Sequence, residues 1–273
     1  MIVALIDNGS LEPAVQRNLR AVAAVLSART GVAVEVISWK HSDRILAAAL
    51  AGIPAWTLTP WLRAQLARGE REFVFVPFFI SAQGAIGSAL RSDLEKLRRE
   101  AGGFTFAFTD GLATRDTLAG IVAEHVRETI AVRKLFRPSV VVVDHGGPSP
   151  ASAALRDRIA AEVRLLLTTE IGPLTAASLE GEAHIHNRPL FADALATPGF
   201  DRGDVIVAPL FLAPGRHAGV NGDLAQIARA AEDRATTLRF HFTALVGAHP
   251  RIVDALASAL RETCSAFPIK TAA

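Results

Sequence analysis

The feature that most constrains this chain is an internal repeat that spans about half of its length. Three landmarks recur at separations of about 135 residues, and each is an apolar run that ends in a short signature. The signatures pair Asp7-Asn8-Gly9 with Asp144-His145-Gly146, Pro77-Phe78-Phe79 with Pro209-Leu210-Phe211, and Gly111 with Gly247. Helical patterns recur between the landmarks in the same order. The sequence therefore predicts two copies of one structural unit.

Each copy alternates apolar runs with helical patterns. The predicted strands are 2–6, 32–37, 73–76 and 104–110 in the first copy, and 140–143, 174–179, 205–208 and 240–246 in the second. These runs are short and almost continuously apolar, which is typical of parallel strands covered on both faces. We therefore predict an α/β protein with two tandem doubly wound parallel-sheet domains. We place them at residues 1–137 and 138–273, because charge and Pro138 interrupt the pattern near Arg137.

One uncharged segment, residues 45–62, reaches the minimum length of a membrane-spanning helix. Pro54 and Pro60 interrupt it, and proline inside a helix costs about 3 kcal/mol. We expect instead a helix that ends near Ala51, a turn, and a second helix from Thr59, with no membrane association.

The composition limits the kinds of partner that this chain is expected to bind. Half of the 273 residues are apolar and the net charge is only +2. Lysine and arginine are scattered among acidic residues, which argues against nucleic acid as a partner. The single cysteine, Cys264, fits a reducing compartment, so we expect a cytoplasmic protein. We expect a monomer whose two domains are related by a pseudo-twofold axis.

Candidate functional residues follow the predicted strands. In open parallel sheets, ligands bind beyond the carboxyl ends of the strands, where the strand order reverses. For the order 2-1-3-4, the second copy places His145, Glu180 and His217 at that edge. Two imidazoles and a carboxylate suit a divalent first-row metal and also move protons near neutral pH.

The first copy offers different residues at the matching places, namely Asn8, Lys40 and Ala85. Asparagine is a poor ligand for such metals, alanine is none, and lysine repels a cation. We therefore predict a degraded site in the first copy. The alternative interpretation is that the histidines of the second copy are ordinary hydrogen-bonding loop residues. His184 and His186 form an H-x-H pair that either lines the same site or lies on a loop surface.

Two segments of the second copy, VVVVDHGGPSP and VIVAPLFLAPGRHAG, resemble the signature segments of the class II chelatases. These are the sirohydrochlorin cobaltochelatases and ferrochelatases of cobalamin and sirohaem synthesis. The resemblance continues at Ser178-Leu179-Glu180 and in LVGAHPRIVDAL, so it covers the whole second copy. The first copy carries the degraded signatures IDNGS and VPFFISAQG. The resemblance implies a chelatase-like fold in both domains, in a two-domain form with one working site.

The resemblance also implies roles. His145 and His217 would bind the incoming metal and accept pyrrole protons. Glu180 would assist metal delivery or proton removal, and Glu182 is the alternative residue for that role. The partner would be an anionic tetrapyrrole, sirohydrochlorin, and the metal would be a substrate, Co²⁺ or Fe²⁺, although the donors also accept Ni²⁺. Arg216 is a candidate for binding a substrate carboxylate, with a solvated loop arginine as the alternative. After His217 the family has acidic residues within a turn, whereas this chain reaches Asp223 only later.

We expect the substrate to lie in a cleft between the domains, with apolar walls from Phe78, Phe79, Leu210 and Phe211 or their loops. With one cysteine, no iron–sulfur cluster is expected within the chain.

The sequence leaves three functions other than a chelatase open. One is a non-catalytic metal- or tetrapyrrole-binding protein on the same fold, and another is a purely structural module. The third, a nucleotide-using enzyme, is disfavoured because neither G-x-G-x-x-G nor a phosphate-loop motif occurs.

Overall fold

The computed structural model describes residues 1–80, 85–114 and 117–266. Within these ranges the strands are β1 (Ile2–Asp7), β2 (Val34–Ser38), β3 (Glu72–Pro77), β4 (Thr105–Phe108), β5 (Ser139–Asp144), β6 (Leu174–Ser178), β7 (Gly203–Pro209) and β8 (Leu238–Phe242). The α-helices are α1 (Pro13–Thr30), α2 (Leu58–Ala67), α3 (Ala85–Ala101), α4 (Leu118–Arg133), α5 (Pro150–Leu166), α6 (Phe191–Ala194), α7 (Asp223–Arg234) and α8 (Pro250–Ala266). Short 3-10 helices include Ser42–Arg44, Ala47–Leu50 and Ile185–Asn187.

The strands form two four-stranded parallel sheets with the same topology. Their orders are β2-β1-β3-β4 and β6-β5-β7-β8. In each sheet the first strand lies between the second and the third, so the carboxyl ends of these three strands are adjacent. The predicted α/β class and parallel-sheet architecture are confirmed.

The central strands β1, β3, β5 and β7 form because nearly all of their residues are buried, whereas the edge strands are only partly covered. In β5, Val140 to Val143 are fully buried, and β-branched side chains suit the pleated surface. Phe78, Phe79 and Leu210 also belong to the buried interior. These three side chains have little exposed surface, and the expectation that they or their loops wall a binding cleft stays a prediction. Phe211 is only partly buried.

The chain divides into two compact units that differ from the two sequence repeats. One unit combines Met1–Arg115 with Pro250–Ala273, and the other is Asp116–His249, as far as these ranges are described. The reason is an exchange of helices: α8 packs on α1 and β3, while α4 packs on α5 and β7. The last helix of each repeat thus completes the unit built on the other repeat's sheet, so the compact units do not follow a division at Arg137.

The segment 45–62 contains less helix than the sequence suggested. Its first part forms only the 3-10 turn Ala47–Leu50, which ends where Ala51 adopts a left-handed backbone with φ of 56°. The second part begins α2 at Leu58, close to the expected Thr59. Among the helices that the structure describes, none is both long and apolar enough to cross a membrane.

Candidate metal centre

The structure brings together the three side chains predicted from the second repeat. His145 follows β5, Glu180 follows β6, and His217 lies in the loop after β7. One ligand atom of each lies within 4.8 Å of the other two, and in the described part of the chain they form the one group of this kind. His145 and Glu180 are exposed and His217 is partly buried, so the group opens to solvent.

The distances suit a first-row ion held by both imidazoles. The Nε2 atoms of His145 and His217 are 3.2 Å apart, and Nε2 of His145 is 3.4 Å from Oε1 of Glu180. Two nitrogens at this separation, each about 2.1 Å from one ion, subtend an angle of about 100° at it, close to tetrahedral or octahedral geometry. The imidazole planes are nearly perpendicular, at 88°.

Gly146 explains why Glu180 lies beside His145. Its backbone has a φ of 82°, and a Cβ atom there would be 2.0 Å from the backbone oxygen of Glu180. The Glu180 amide also donates to the backbone oxygen of His145, at 3.1 Å. Only glycine permits this close approach of two loops.

His217 is oriented by a carboxylate at the start of the next helix. Nδ1 of His217 lies 2.7 Å from Oδ2 of Asp223, the first residue of α7. A carboxylate at this nitrogen holds the ring proton on Nδ1 and leaves Nε2 free to bind an ion. The amide of Leu224 donates to the backbone oxygen of His217, so the helix start also fixes the loop.

A buried polar network lies beneath the site. Arg156 of α5 is 2% exposed and hydrogen-bonds Ser178 at the end of β6, while the Ser178 hydroxyl donates to Oδ1 of Asp144 at 2.5 Å. Burial raises the pKa of the Asp144 carboxyl above its usual value, and the Ser178 hydrogen bond and the charge of Arg156 oppose that shift.

The first repeat has the same backbone arrangement without the ligands. The Lys40 amide donates to the backbone oxygen of Asn8, and Gly9 approaches the backbone oxygen of Lys40 as Gly146 approaches that of Glu180. The Lys40 ammonium lies 3.8 Å above the Trp39 ring. The side chain of Ala85, and positions 81–84 of the degraded second signature, lie outside the described residues.

The other residues predicted for the site lie outside the group formed by His145, Glu180 and His217. Arg216 is largely exposed, with Nε 3.6 Å from Oδ2 of Asp223. Glu182 is exposed and does not join the three-residue group found among the described residues. His186 supports the loop after β5, since its Nε2 lies 2.9 Å from the backbone oxygen of Gly147, and its ring stacks with that of His184.

Phe211 supplies the aromatic neighbour of the site. Its ring lies 6.4 Å from that of His145 and 6.5 Å from that of His217. Of the side chains expected to wall the site, Phe211 therefore lies beside both histidines.

Sequence reasoning missed two residues of the site. In the sequence Asp223 stands out only as a departure from the family pattern, although its place at the start of a helix, directly after Gly222, indicates proximity to the preceding loop. Arg156 gave no signal, because an arginine in a charged helix is usually solvated.

The fold and the site together define a class: an α/β protein of two parallel-sheet units, one of which gathers two imidazoles and a carboxylate at the edge of its sheet. Comparison with known proteins specifies the family. The model of the CbiX family matches residues 2–129 and 139–263. The chain belongs to the CbiX family, which confirms the class II chelatase resemblance seen in the sequence.

Solved structures share the fold across nearly the whole chain. SirB from Bacillus subtilis with Fe3+ is 12% identical with a TM-score of 0.67, covering 96% of each chain. CbiX, described as the terminal enzyme for biosynthesis of sirohaem in denitrifying bacteria, is 20% identical with a TM-score of 0.61, covering 96% of this chain and 99% of the other. The sirohydrochlorin chelatase SirB from Bacillus subtilis subspecies spizizenii, in complex with cobalt, is 12% identical with a TM-score of 0.65, covering 97% and 96%. No match was found among curated protein sequences.

Proposed function

We propose that this chain is a sirohydrochlorin chelatase, a lyase that inserts Co²⁺ or Fe²⁺ into the macrocycle in cobalamin or sirohaem biosynthesis. The observation that carries the proposal is the group formed by His145, Glu180 and His217 at the carboxyl edge of the second sheet. Membership of the CbiX family and the fold shared with SirB support it.

The proposed reaction exchanges two protons for one ion. The free macrocycle carries two pyrrole N–H groups, and insertion of a divalent ion releases both protons as the four ring nitrogens bind the ion. His145 and His217 hold the ion through Nε2 while the ring nitrogens displace them. The freed imidazoles and the Glu180 carboxylate then accept the two protons and pass them to water, which the open site admits.

We call His145, Glu180 and His217 the metal group. We propose that side chains around it orient the substrate. Arg216 is exposed beside His217, where a guanidinium can pair with a substrate carboxylate in bidentate geometry. Phe211 offers an aromatic surface next to both histidines for contact with the flat macrocycle. Action as a monomer in the cytoplasm is part of the proposal.

The test uses purified protein and metal-free sirohydrochlorin, with Co²⁺, Fe²⁺ and Ni²⁺ supplied in turn and insertion followed by absorbance. His145→Ala and His217→Ala are each expected to reduce insertion to the uncatalysed rate, because each removes one of two ligands that hold the ion. Circular dichroism checks that both variants remain folded, as expected for side chains outside the core.

The matched control is Asn8→Ala, which changes the position equivalent to His145 in the first repeat and is expected to retain wild-type insertion. Wild-type insertion by either histidine variant contradicts the proposal. Tight metal or tetrapyrrole binding by the wild-type chain with no insertion favours the non-catalytic binding protein instead.

A further inference from the structure

Arg156 is the one charged side chain among the fully buried residues of the described chain, and its contacts converge on the segments that carry the metal group. It extends from α5, beneath the carboxyl ends of β5 and β6. The residues it contacts precede the ligands directly: Asp144 is followed by His145, and Ser178 lies two residues before Glu180.

The guanidinium contacts three separate segments. One nitrogen, Nη1, donates to the Ser178 hydroxyl and lies 3.7 Å from Oδ1 of Asp144. The other, Nη2, donates to the backbone oxygen of His186 at 3.2 Å, and Nε donates to Oδ1 of Asp157 at 2.8 Å.

The third segment leads back to the metal group by a second route. The ring of His186 bonds the backbone oxygen of Gly147, and the buried Asn187 donates to the backbone oxygens of both Gly147 and Gly181. The loop after β5 and the loop after β6 are therefore joined to each other and, through His186, to Arg156.

Because Arg156 is buried, its hydrogen bonds restrict the movement of the strand ends that it contacts. A guanidinium without partners is very costly in a protein interior, so any movement of the strand ends that breaks its hydrogen bonds is opposed. Since the donors of Arg156 point to three segments at once, their relative positions are constrained together. The backbone positions that carry His145 and Glu180 are thereby held at a fixed spacing.

The first repeat contains a weaker version of the same arrangement. The buried Gln16, one turn nearer the start of its helix, donates to Ser38 at 2.6 Å beneath Asn8 and Lys40. This amide is neutral and supplies no charge. At the position beneath Asn8 and Lys40, the first repeat thus has a neutral amide where the second has a buried cation.

We infer that Arg156 is a positioning residue for the metal group, acting through Ser178, Asp144 and the backbone of His186 to hold His145 and Glu180 at ligand spacing. The inference rests on the proposed function, since it assigns a further residue to the same site.

The test is a titration of the full chain with Co²⁺, followed by visible absorption, which reports the ligand geometry. Arg156→Gln is expected to weaken Co²⁺ binding about 10-fold or more and to change the band shape, as for other residues that orient metal ligands. Arg156→Lys, which keeps the charge, is expected to recover part of the affinity. The control Gln16→Ala removes the corresponding buried hydrogen bond in the first repeat and is expected to leave Co²⁺ affinity and spectrum unchanged.

A purely structural role for Arg156 predicts a lower melting temperature with unchanged Co²⁺ affinity and spectrum, and that result overturns the inference. If Arg156→Gln does not fold, Ser178→Ala interrupts the same network with a smaller change, and wild-type binding by that variant overturns the inference equally. A wild-type chain that binds none of Co²⁺, Fe²⁺ and Ni²⁺ overturns the proposed function, and the inference with it. Binding by the wild type, matched by the variants, overturns the inference alone.

Discussion

Two aspartates at equivalent places, Asp7 at the end of β1 and Asp144 at the end of β5, have different surroundings. Asp144 lies beside the buried Arg156, whereas Asp7 accepts a hydrogen bond from Ser38 and leaves Oδ1 without a partner. Burial raises the pKa of Asp7 to about 6, from an ordinary value of 3.8. The unfolded chain therefore loses this proton near pH 4, while the folded chain keeps it until about pH 6. Asp7 consequently lowers the free energy of unfolding as pH rises between these two values.

Asp7→Asn is expected to raise the free energy of unfolding at pH 7 by about 1–3 kcal/mol, because it removes a carboxylate charge that burial disfavours. The gain should fade as pH falls from about 6 towards 4, where Asp7 of the wild-type chain is itself neutral in the folded state. Urea unfolding of both proteins across this pH range measures the difference. Asp144→Asn is the comparison and should give a smaller gain, since burial also raises the pKa of Asp144 but the substitution removes a charged partner of the buried Arg156. A variant at Asp7 that is no more stable than wild type at pH 7 contradicts this account.

The contact between Asp223 and His217 predicts an effect on metal binding. Asp223→Asn keeps the shape of the side chain but removes the charge that holds the His217 proton on Nδ1. We expect Co²⁺ affinity to fall about 10- to 100-fold, measured by titration of the full chain.

The chain contains a matched control for Asp223. Asp204 makes a similar contact with His241, at 2.8 Å, on β7 and β8 away from the site. Asp204→Asn should therefore leave Co²⁺ affinity unchanged. Equal affinities for the two variants would show that the Asp223 carboxylate does not act through His217.

At the scale of elements, the sequence predicted every strand of both sheets, because continuous apolar runs and the repeat are strong signals. The order 2-1-3-4 was an assumption, and it is the order that both sheets have. The ends were less accurate: β2 begins at Val34 where the sequence suggested residue 32, and β4 ends at Phe108 before the expected residue 110. These ends are set by neighbouring strands through hydrogen bonds, which a linear pattern does not contain.

The candidate site was predictable to a similar extent. His145 and His217 could be found because they are absent from the first repeat. The choice of Glu180 over Glu182 depends on the approach of Gly146 to the Glu180 backbone, and that contact joins residues distant in sequence. The contacts of Arg156 required the structure for the same reason.

At the scale of the whole molecule, the exchange of α4 and α8 was not predictable, because repeat periodicity locates a helix along the chain but does not specify the sheet that it covers. The buried face of α4, which includes Leu118, Ile121, Val122 and Val126, packs in the unit that holds the metal group. Each such side chain contributes about 1.5–3 kcal/mol when fully buried.

Two fragments test the domain boundaries. The fragment 116–249 retains α4 and is expected to fold cooperatively and to bind Co²⁺, whereas the fragment 138–273, which follows the sequence repeat, lacks α4 and should be poorly folded. Thermal unfolding by circular dichroism and Co²⁺ titration of each fragment give the measurement. If 138–273 folds and binds Co²⁺ as well as 116–249 does, the repeat boundary near Arg137 is the correct domain boundary.

The helix exchange also bears on how a gene of this kind can change. A gene cut to its second half would encode the sheet β5–β8 without α4, which packs against it. It would also encode α8 without the sheet β1–β4, against which α8 packs. The repeat with the degraded site therefore cannot be discarded by simple truncation, because its last helix is part of the unit that holds His145 and His217. A descendant with a single unit would need a different order of helices along its chain. The sequence of α4 would either move behind β8 or stay in front of β5, as in a circular permutation.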